Sequence, residues 1–351
     1  MTFIPKPRVI HPALARNKLG LTIRDYEGTM STLCAGCGHD SVTAGIIQAF
    51  HELDTEPHRV VKLSGIGCSS KTPTYFVSAA HGFNSAHGRM PSIATGANAA
   101  QRGLTYIGIS GDGDSLSIGI GQLVHAIRRN VDMLYIIENN GVYGLTKGQF
   151  SASADIGSKS KRGEANRFGP IDPVALALDL GATFVARSFS GDKEQLVPIL
   201  KAALSHKGFA LVDVISPCVT FNDHEGSTKS YLHTRKHLLK LISADFVPFA
   251  QEITADYQPG TATSVRLHDG SFVRLRKVAA DYDPTDRQRV SAHLELHRNR
   301  GEIATGLLFV DKQASDMHDT NKTTDVPLAK LPFEKLCPGR AALDALQSEF
   351  R

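Results

Sequence analysis

The chain of 351 residues contains only five cysteines. So few cannot staple a domain of this length with disulfides, and each reads instead as a thiol, a ligand or a core filler. No stretch comes near the roughly 18 uninterrupted apolar residues of a membrane span. The opening MTFIPKPRVIHPALAR has no apolar export core, so the expected compartment is the cytoplasm, away from any membrane. Charge of one sign is equally scarce. The 39 Lys+Arg against 35 Asp+Glu leave +4, too little and too dispersed for a nucleic-acid partner. Internal repeats are lacking as well. What remains, 41% hydrophobic, is enough for a full core and excludes a disordered chain.

From about Ser31 to Pro217, short apolar runs alternate with helical patterns, the sign of βα units on a parallel sheet. Residues 104–109 read as a buried strand, followed by a Gly/Asp turn. A helix then carries Leu116, Ile120, Leu123, Val124 and Ile127 on one face, and 133–137 is the returning strand. Downstream, 174–180 and 193–204 read as helices and 183–186 and 209–215 as strands. The polar stretch 151–167 reads as a long surface loop. Beyond Pro217 the pattern predicts helices over 231–242 and 285–298. A hairpin joins 265–267 to 272–275 around Asp269-Gly270. The expected organisation is an arm over 1–30, an α/β domain over 31–225 and a mixed extension over 226–351. The domain would be an open, mostly parallel sheet with helices on both faces.

Gly111-Asp112-Gly113 closes one strand and opens a helix, so backbone N–H groups there could cradle a phosphate. It is not a GxGxxG dinucleotide turn, because Asp112 would repel a bare pyrophosphate. The acid makes sense beside a cation such as Mg²⁺, which takes about six oxygen ligands. Asn140, in Asn139-Asn140, ends the next strand, and one crossover sets neighbouring parallel strand ends side by side. Asp112, Asn140 and the carbonyl of Val142 would then converge, with Gly111 and Gly113 beside the diphosphate. Taken jointly, the Gly-Asp-Gly and Asn-Asn pair matches the thiamine diphosphate signature. Asp114 reads as the cap of the following helix.

Four cysteines stand in Gly- or Pro-flanked turns: Cys34 and Cys37 in a CxxC, Cys68 in GIGCSS, and Cys218 after Ser216-Pro217. They suit a structural zinc or a [4Fe–4S] cluster, with a redox dithiol as the plainer reading. Zinc ribbons use two close CxxC pairs, so the scattered spacing favours a cluster. Cys337 reads as a bystander, and His39 as a capping or supporting residue.

With these motifs in place, the chain resembles the β subunits of the 2-oxoacid:ferredoxin oxidoreductases. The resemblance covers about Ser31 to Asp223: CAGCGH, GIGCSS, His87-Gly88-Arg89, Ala94-Thr95-Gly96, GDGD and NNGVYGLTKGQ. Asn98 departs from the family, in which many members carry a basic residue after the ATG. The resemblance implies that Cys34, Cys37, Cys68 and Cys218 ligate one [4Fe–4S] cluster. It likewise implies that Asp112, Asn140 and the Val142 carbonyl hold Mg²⁺ on thiamine diphosphate. The implied activity is coenzyme A-dependent oxidative decarboxylation of a 2-oxoacid, with ferredoxin as electron acceptor. The carboxylate that activates the cofactor would come from a partner α subunit. Lys71 and Lys147 match substrate-end positions and could pair with the distal carboxylate of 2-oxoglutarate. His87 and Arg89 could contact substrate or diphosphate. The alternatives are pyruvate or an aryl-pyruvate as substrate, a non-redox thiamine diphosphate lyase with a four-cysteine zinc, and a non-catalytic iron–sulfur relay.

Overall fold

A computed structural model describes residues 12–160, 163–224, 226–242, 262–266, 272–277 and 282–350. Its strands are β1 (Val60–Ser64), β2 (His81–Asn84), β3 (Thr105–Gly111), β4 (Met133–Asn139), β5 (Val142–Tyr143), β6 (Gln149–Phe150), β7 (Phe184–Phe189), β8 (Phe209–Ile215), β9 (Leu238–Ile242), β10 (Ala262–Arg266), β11 (Phe272–Lys277) and β12 (Ile303–Val310). Its helices are α1 (Gly38–Glu52), α2 (Met90–Ala100), α3 (Ile120–Arg128), α4 (Pro173–Asp179), α5 (Lys193–Leu204), α6 (Tyr231–His237), α7 (Arg287–Asn299), α8 (Met317–Asn321), α9 (Phe333–Leu336) and α10 (Gly339–Ser348). None of the described helices is long and apolar enough to cross a membrane.

Six parallel strands run in the order β2-β1-β3-β4-β8-β7, and β12 continues the sheet antiparallel to β7. The central strands β4 and β8 are buried at every position, as strands covered on both faces must be. Side chains alternate across the sheet. Met133, Tyr135 and Ile137 pack with Ala94, Leu123, Val174 and Leu294 from α2, α3, α4 and α7. Leu134 and Ile136 face the other way, onto Ile46 and Phe50 of α1 and Leu196 and Leu200 of α5. The open, mostly parallel sheet with helices on both faces is therefore the architecture that forms.

Three expectations need correction. The arm is not free over its whole length: Tyr26 is completely buried, its hydroxyl donating to Thr55 O at 2.8 Å and accepting from Asn17 Nδ2 at 2.9 Å. Gly28 N also donates to Tyr75 O at 2.8 Å, which fastens this stretch to the domain. The single helix expected over 231–242 ends at His237, where the backbone of Leu238 turns extended and β9 pairs with β12. A short Leu-rich run does not distinguish helix from strand by periodicity, and sheet pairing decides it here. Finally, a boundary at residue 225 divides a shared core, because β12 joins the main sheet and α7 buries Val290 and Leu294 in it. The expected hairpin forms between β10 and β11. Its turn at Asp269-Gly270 lies outside the described residues.

Because Tyr26 belongs to the core, Tyr26→Ala should cost about 3–5 kcal/mol, as truncation of a buried aromatic does. Urea unfolding measures it, and a cost under about 1 kcal/mol would return this segment to the status of an arm.

Candidate active site

The β3–β4 register pairs Gly111 with Glu138, so the next residues, Asp112 and Asn139-Asn140, emerge together from adjacent strand ends. Asp112 is fully buried. Its Oδ2 accepts from Ser151 Oγ, from Ser153 Oγ at 2.6 Å and from Gly141 N at 3.1 Å. Its Oδ1 has one long contact, from Asn140 N at 3.4 Å. Asn140 Oδ1 accepts from Val142 N at 3.0 Å, while its Nδ2 faces His39 Nε2 at 3.5 Å. The amide oxygen is thereby held on the Val142 side. Gly111, Asp112, Gly113, Asn140 and Val142 all line one cavity, which Cys68, Ser69, His87 and Tyr143 also line. The start of the expected surface loop is thus interior: Ser151 and Ser153 are buried against Asp112.

Asp114 does not cap a helix. One turn of π-helix, Gly113–Ile118, follows Asp112, and α3 starts only at Ile120. The buried Asp114 carboxylate instead gathers three segments, accepting from Gly88 N at 2.8 Å, Ile66 N at 3.2 Å and Ser110 Oγ at 2.5 Å. His87 Nδ1 meets the same carboxylate. The fit leaves no space at Gly65, where a Cβ would lie 1.8 Å from Asp114 Oδ2. Of the other residues expected at the substrate end, only His87 lines the cavity. Arg89 is exposed, with Nη1 directed at Gly88 O. Lys71 is half-buried in the turn after Cys68, and Lys147 is exposed on the β5–β6 connection. Asn98 is buried and structural: it donates to Asp132 O at 3.1 Å and meets His318 Nε2 at 2.8 Å, tying α2 to α8.

The topology brings the four cysteine turns to the same rim. Gly38 N donates to Pro217 O at 3.3 Å, and Thr220 Oγ1 lies 3.5 Å from Cys34 Sγ. A Cβ at Gly144 would stand 3.4 Å from Cys68 Sγ and 3.8 Å from Cys218 Sγ. Burial pushes the Cys37 thiol up to about 12, with Glu138 and Cys218 adding to it. Burial also raises Cys68, with Cys218 again a neighbour. Such thiols ionise readily only beside a positive centre. Cys337 is exposed and far along the chain, in the turn between α9 and α10.

Between cavity and cysteines lies a buried polar network centred on His39. Its Nδ1 is 2.6 Å from Ser216 Oγ and its Nε2 is 3.2 Å from Ser69 Oγ. Burial lowers its pKa to about 4, so the ring is neutral at pH 7. Glu138 is fully buried, with Thr72 Oγ1 3.1 Å from each of its oxygens, and burial holds its carboxyl well above the usual range. Sequence reasoning missed Glu138, Ser151 and Ser153. Glu138 could have been flagged as the one carboxylate of β4, directly before Asn139. Nothing local marks the two serines.

The Asp114 packing predicts that Gly65→Ala costs about 1–3 kcal/mol through overpacking. Gly96→Ala, on α2 with nothing within 4 Å of its Cβ, should be neutral or stabilising. Urea midpoints of the two variants check the contrast, and equal midpoints would count against it.

Residues 65–214 match the model of the thiamine pyrophosphate enzyme C-terminal TPP binding domain. The chain is 45% identical over 207 residues to a 2-oxoacid:ferredoxin oxidoreductase subunit beta of Saccharolobus solfataricus, covering 59% of this chain and 67% of that one. It is 42% identical over 191 residues to the 2-oxoglutarate oxidoreductase subunit KorB of Mycobacterium tuberculosis, covering 54% and 51%. It is 32% identical over 209 residues to the 2-oxoglutarate synthase subunit KorB of Methanothermobacter marburgensis, covering 58% and 72%. The alignments thus span from about half to nearly three quarters of these relatives. A solved structure of the 2-oxoglutarate:ferredoxin oxidoreductase from Magnetococcus marinus, with 2-oxoglutarate, coenzyme A and succinyl-CoA bound, superposes with a TM-score of 0.71 at 27% identity. That superposition covers 95% of this chain and 98% of the other. With its Asp112–Asn140 cavity and adjoining cysteine turns, the chain belongs to the β subunits of the 2-oxoacid:ferredoxin oxidoreductases.

Proposed function

We propose that this chain is the cofactor-bearing subunit of a heteromer that oxidatively decarboxylates a 2-oxoacid, 2-oxoglutarate by preference. Coenzyme A takes the acyl group and ferredoxin the electrons. The observation that carries this reading is one cavity lined both by Asp112, Asn140 and Val142 and by Cys68. The names of the KorB relatives and the ligands of the Magnetococcus marinus structure support 2-oxoglutarate over pyruvate. The β-subunit relatives support an α-subunit partner.

The residues present fit the cofactors. Asp112 is a buried carboxylate whose hydrogen-bond donors among the described residues are hydroxyls and amides, with no basic side chain. A cation there would compensate the charge. Asp112, Asn140 and the Val142 carbonyl would hold Mg²⁺, with the Gly111 and Gly113 backbone beside the diphosphate of thiamine diphosphate. Cys34, Cys37, Cys68 and Cys218 would hold a [4Fe–4S] cluster. Four thiolates on one zinc, at about 2.3 Å each, crowd together. One CxxC and two single cysteines scattered along the chain support the cluster over the zinc.

When bound, thiamine diphosphate supplies the electron sink for loss of carbon dioxide, and the cluster accepts electrons one at a time. The chain's own residues orient and screen. His39, a neutral acceptor, sets the Asn140 amide. Tyr143 donates to Gly113 O at 3.0 Å and closes one wall. Glu138, whose carboxyl burial holds well above the usual range, is bound by Thr72 Oγ1 beside the thiols. Lys71 and Lys147 would attract the distal carboxylate of the substrate, while His87 and Arg89 would contact substrate or diphosphate.

Co-purified with its partner, the chain should be brown, carry iron and sulfide, and reduce ferredoxin when given 2-oxoglutarate and coenzyme A. Asp112→Ala should abolish turnover while leaving the visible spectrum intact. A colourless protein with stoichiometric zinc would sink the redox reading, and full activity in Asp112→Ala would make the chain a mere electron relay. Replacing Lys71 and Lys147 together by Met should raise the KM for 2-oxoglutarate about tenfold or more, the worth of a lost charge-assisted bond, and barely affect pyruvate. Equal effects on both substrates would refute the lysine assignment.

A further inference from the structure

Asp112 has two oxygens, and the protein treats them unequally. Oδ2 takes Ser151 Oγ, Ser153 Oγ and Gly141 N, whereas among the described residues Oδ1 has only the long contact from Asn140 N. Ser153 Oγ also lies 2.8 Å from Asn139 Oδ1, so its one proton is shared between two acceptors. Asn139 is in turn held from behind: its Nδ2 donates to Asp213 Oδ1 at 3.0 Å. Arg187 Nε donates to Asp213 Oδ2 at 2.8 Å, and the same guanidinium binds Asp172 at the head of α4. Asp112, Asn139, Ser151, Ser153, Arg187 and Asp213 are all buried.

Resting on the reading of Asp112 as a magnesium ligand, we propose that Ser151 and Ser153 are positioning residues that occupy Oδ2 and leave Oδ1 alone to face the metal. Asn139, anchored through Asp213 to Arg187, fixes Ser153. The first asparagine of the pair is therefore a strut and only the second a ligand. The consequence is ionic selectivity. Mg²⁺ demands near-octahedral geometry and suits a one-oxygen carboxylate, whereas Ca²⁺ accepts a carboxylate through both oxygens in a flexible shell. Freeing Oδ2 would let Asp112 chelate with both oxygens and would favour the larger ion.

The test measures thiamine diphosphate binding by calorimetry in the full chain assembled with its partner, titrated with Mg²⁺ and separately with Ca²⁺. Ser153→Ala should raise the half-saturating Mg²⁺ concentration about tenfold or more, the usual effect of losing a group that orients a metal ligand. Half-saturation by Ca²⁺ should change much less, so the ratio between the ions shifts. Ser151→Ala should shift the ratio the same way and serves where Ser153→Ala does not fold. An unchanged ratio, whether both affinities hold or both fall together, overturns the proposal. A wild-type complex that takes up no thiamine diphosphate with either ion overturns the magnesium reading beneath it as well.

Discussion

A carboxylate buried without a basic partner among the described residues is the constraint around which this site is built. An isolated negative charge in the interior costs several kcal/mol even after relaxation. Asp112 is nevertheless completely buried at the end of β3. What makes it tolerable is geometry delivered from elsewhere. The parallel register of β3 on β4 supplies the amides of Asn140 and Gly141, and the return of the chain after β6 supplies two hydroxyls. The donors neutralise one oxygen. The other retains its demand for positive charge, which would make a liability of folding the proposed cation site. Sheet register, loop path and ligand chemistry are therefore a single requirement.

Legibility in the sequence followed how local each cause is. The strand Phe209–Ile215 and the helix Lys193–Leu204 are plain, because burial on both faces and a 3.6-residue stripe are written into the residues themselves. The ends of β3 and β4 were placed by the same logic, and with them Asp112 and Asn140. The reading of 151–167 as surface failed at its start because Ser151 and Ser153 are buried through what they meet, Asp112, and not through any hydrophobic pattern. Asp114 was misread for a related reason. An acid behind a Gly-Asp-Gly turn looks like a cap, yet the π-helical turn points it back toward Ile66 and Gly88. Tyr26 escaped notice because a single aromatic in a Pro- and Arg-spotted stretch carries no period at all.

The second asymmetry lies between the two inorganic sites that the chain's residues are suited to hold. Cavity and cysteine rim meet at Gly144, where a Cβ would touch Cys68 and Cys218 at van der Waals distance, and Cys68 itself lines the cavity. The two centres would therefore share a boundary. On the far side of that boundary burial works against charge: it lowers the pKa of His39 to about 4 and raises that of the Glu138 carboxyl. A charged pair there would bias either neighbour by Coulomb terms that low dielectric amplifies. The neutral His39 ring orients Asn140 and braces Ser69 and Ser216 without that bias. The residues that would hold the two centres are therefore kept in register by hydrogen bonds, with burial acting against charge on the groups between them.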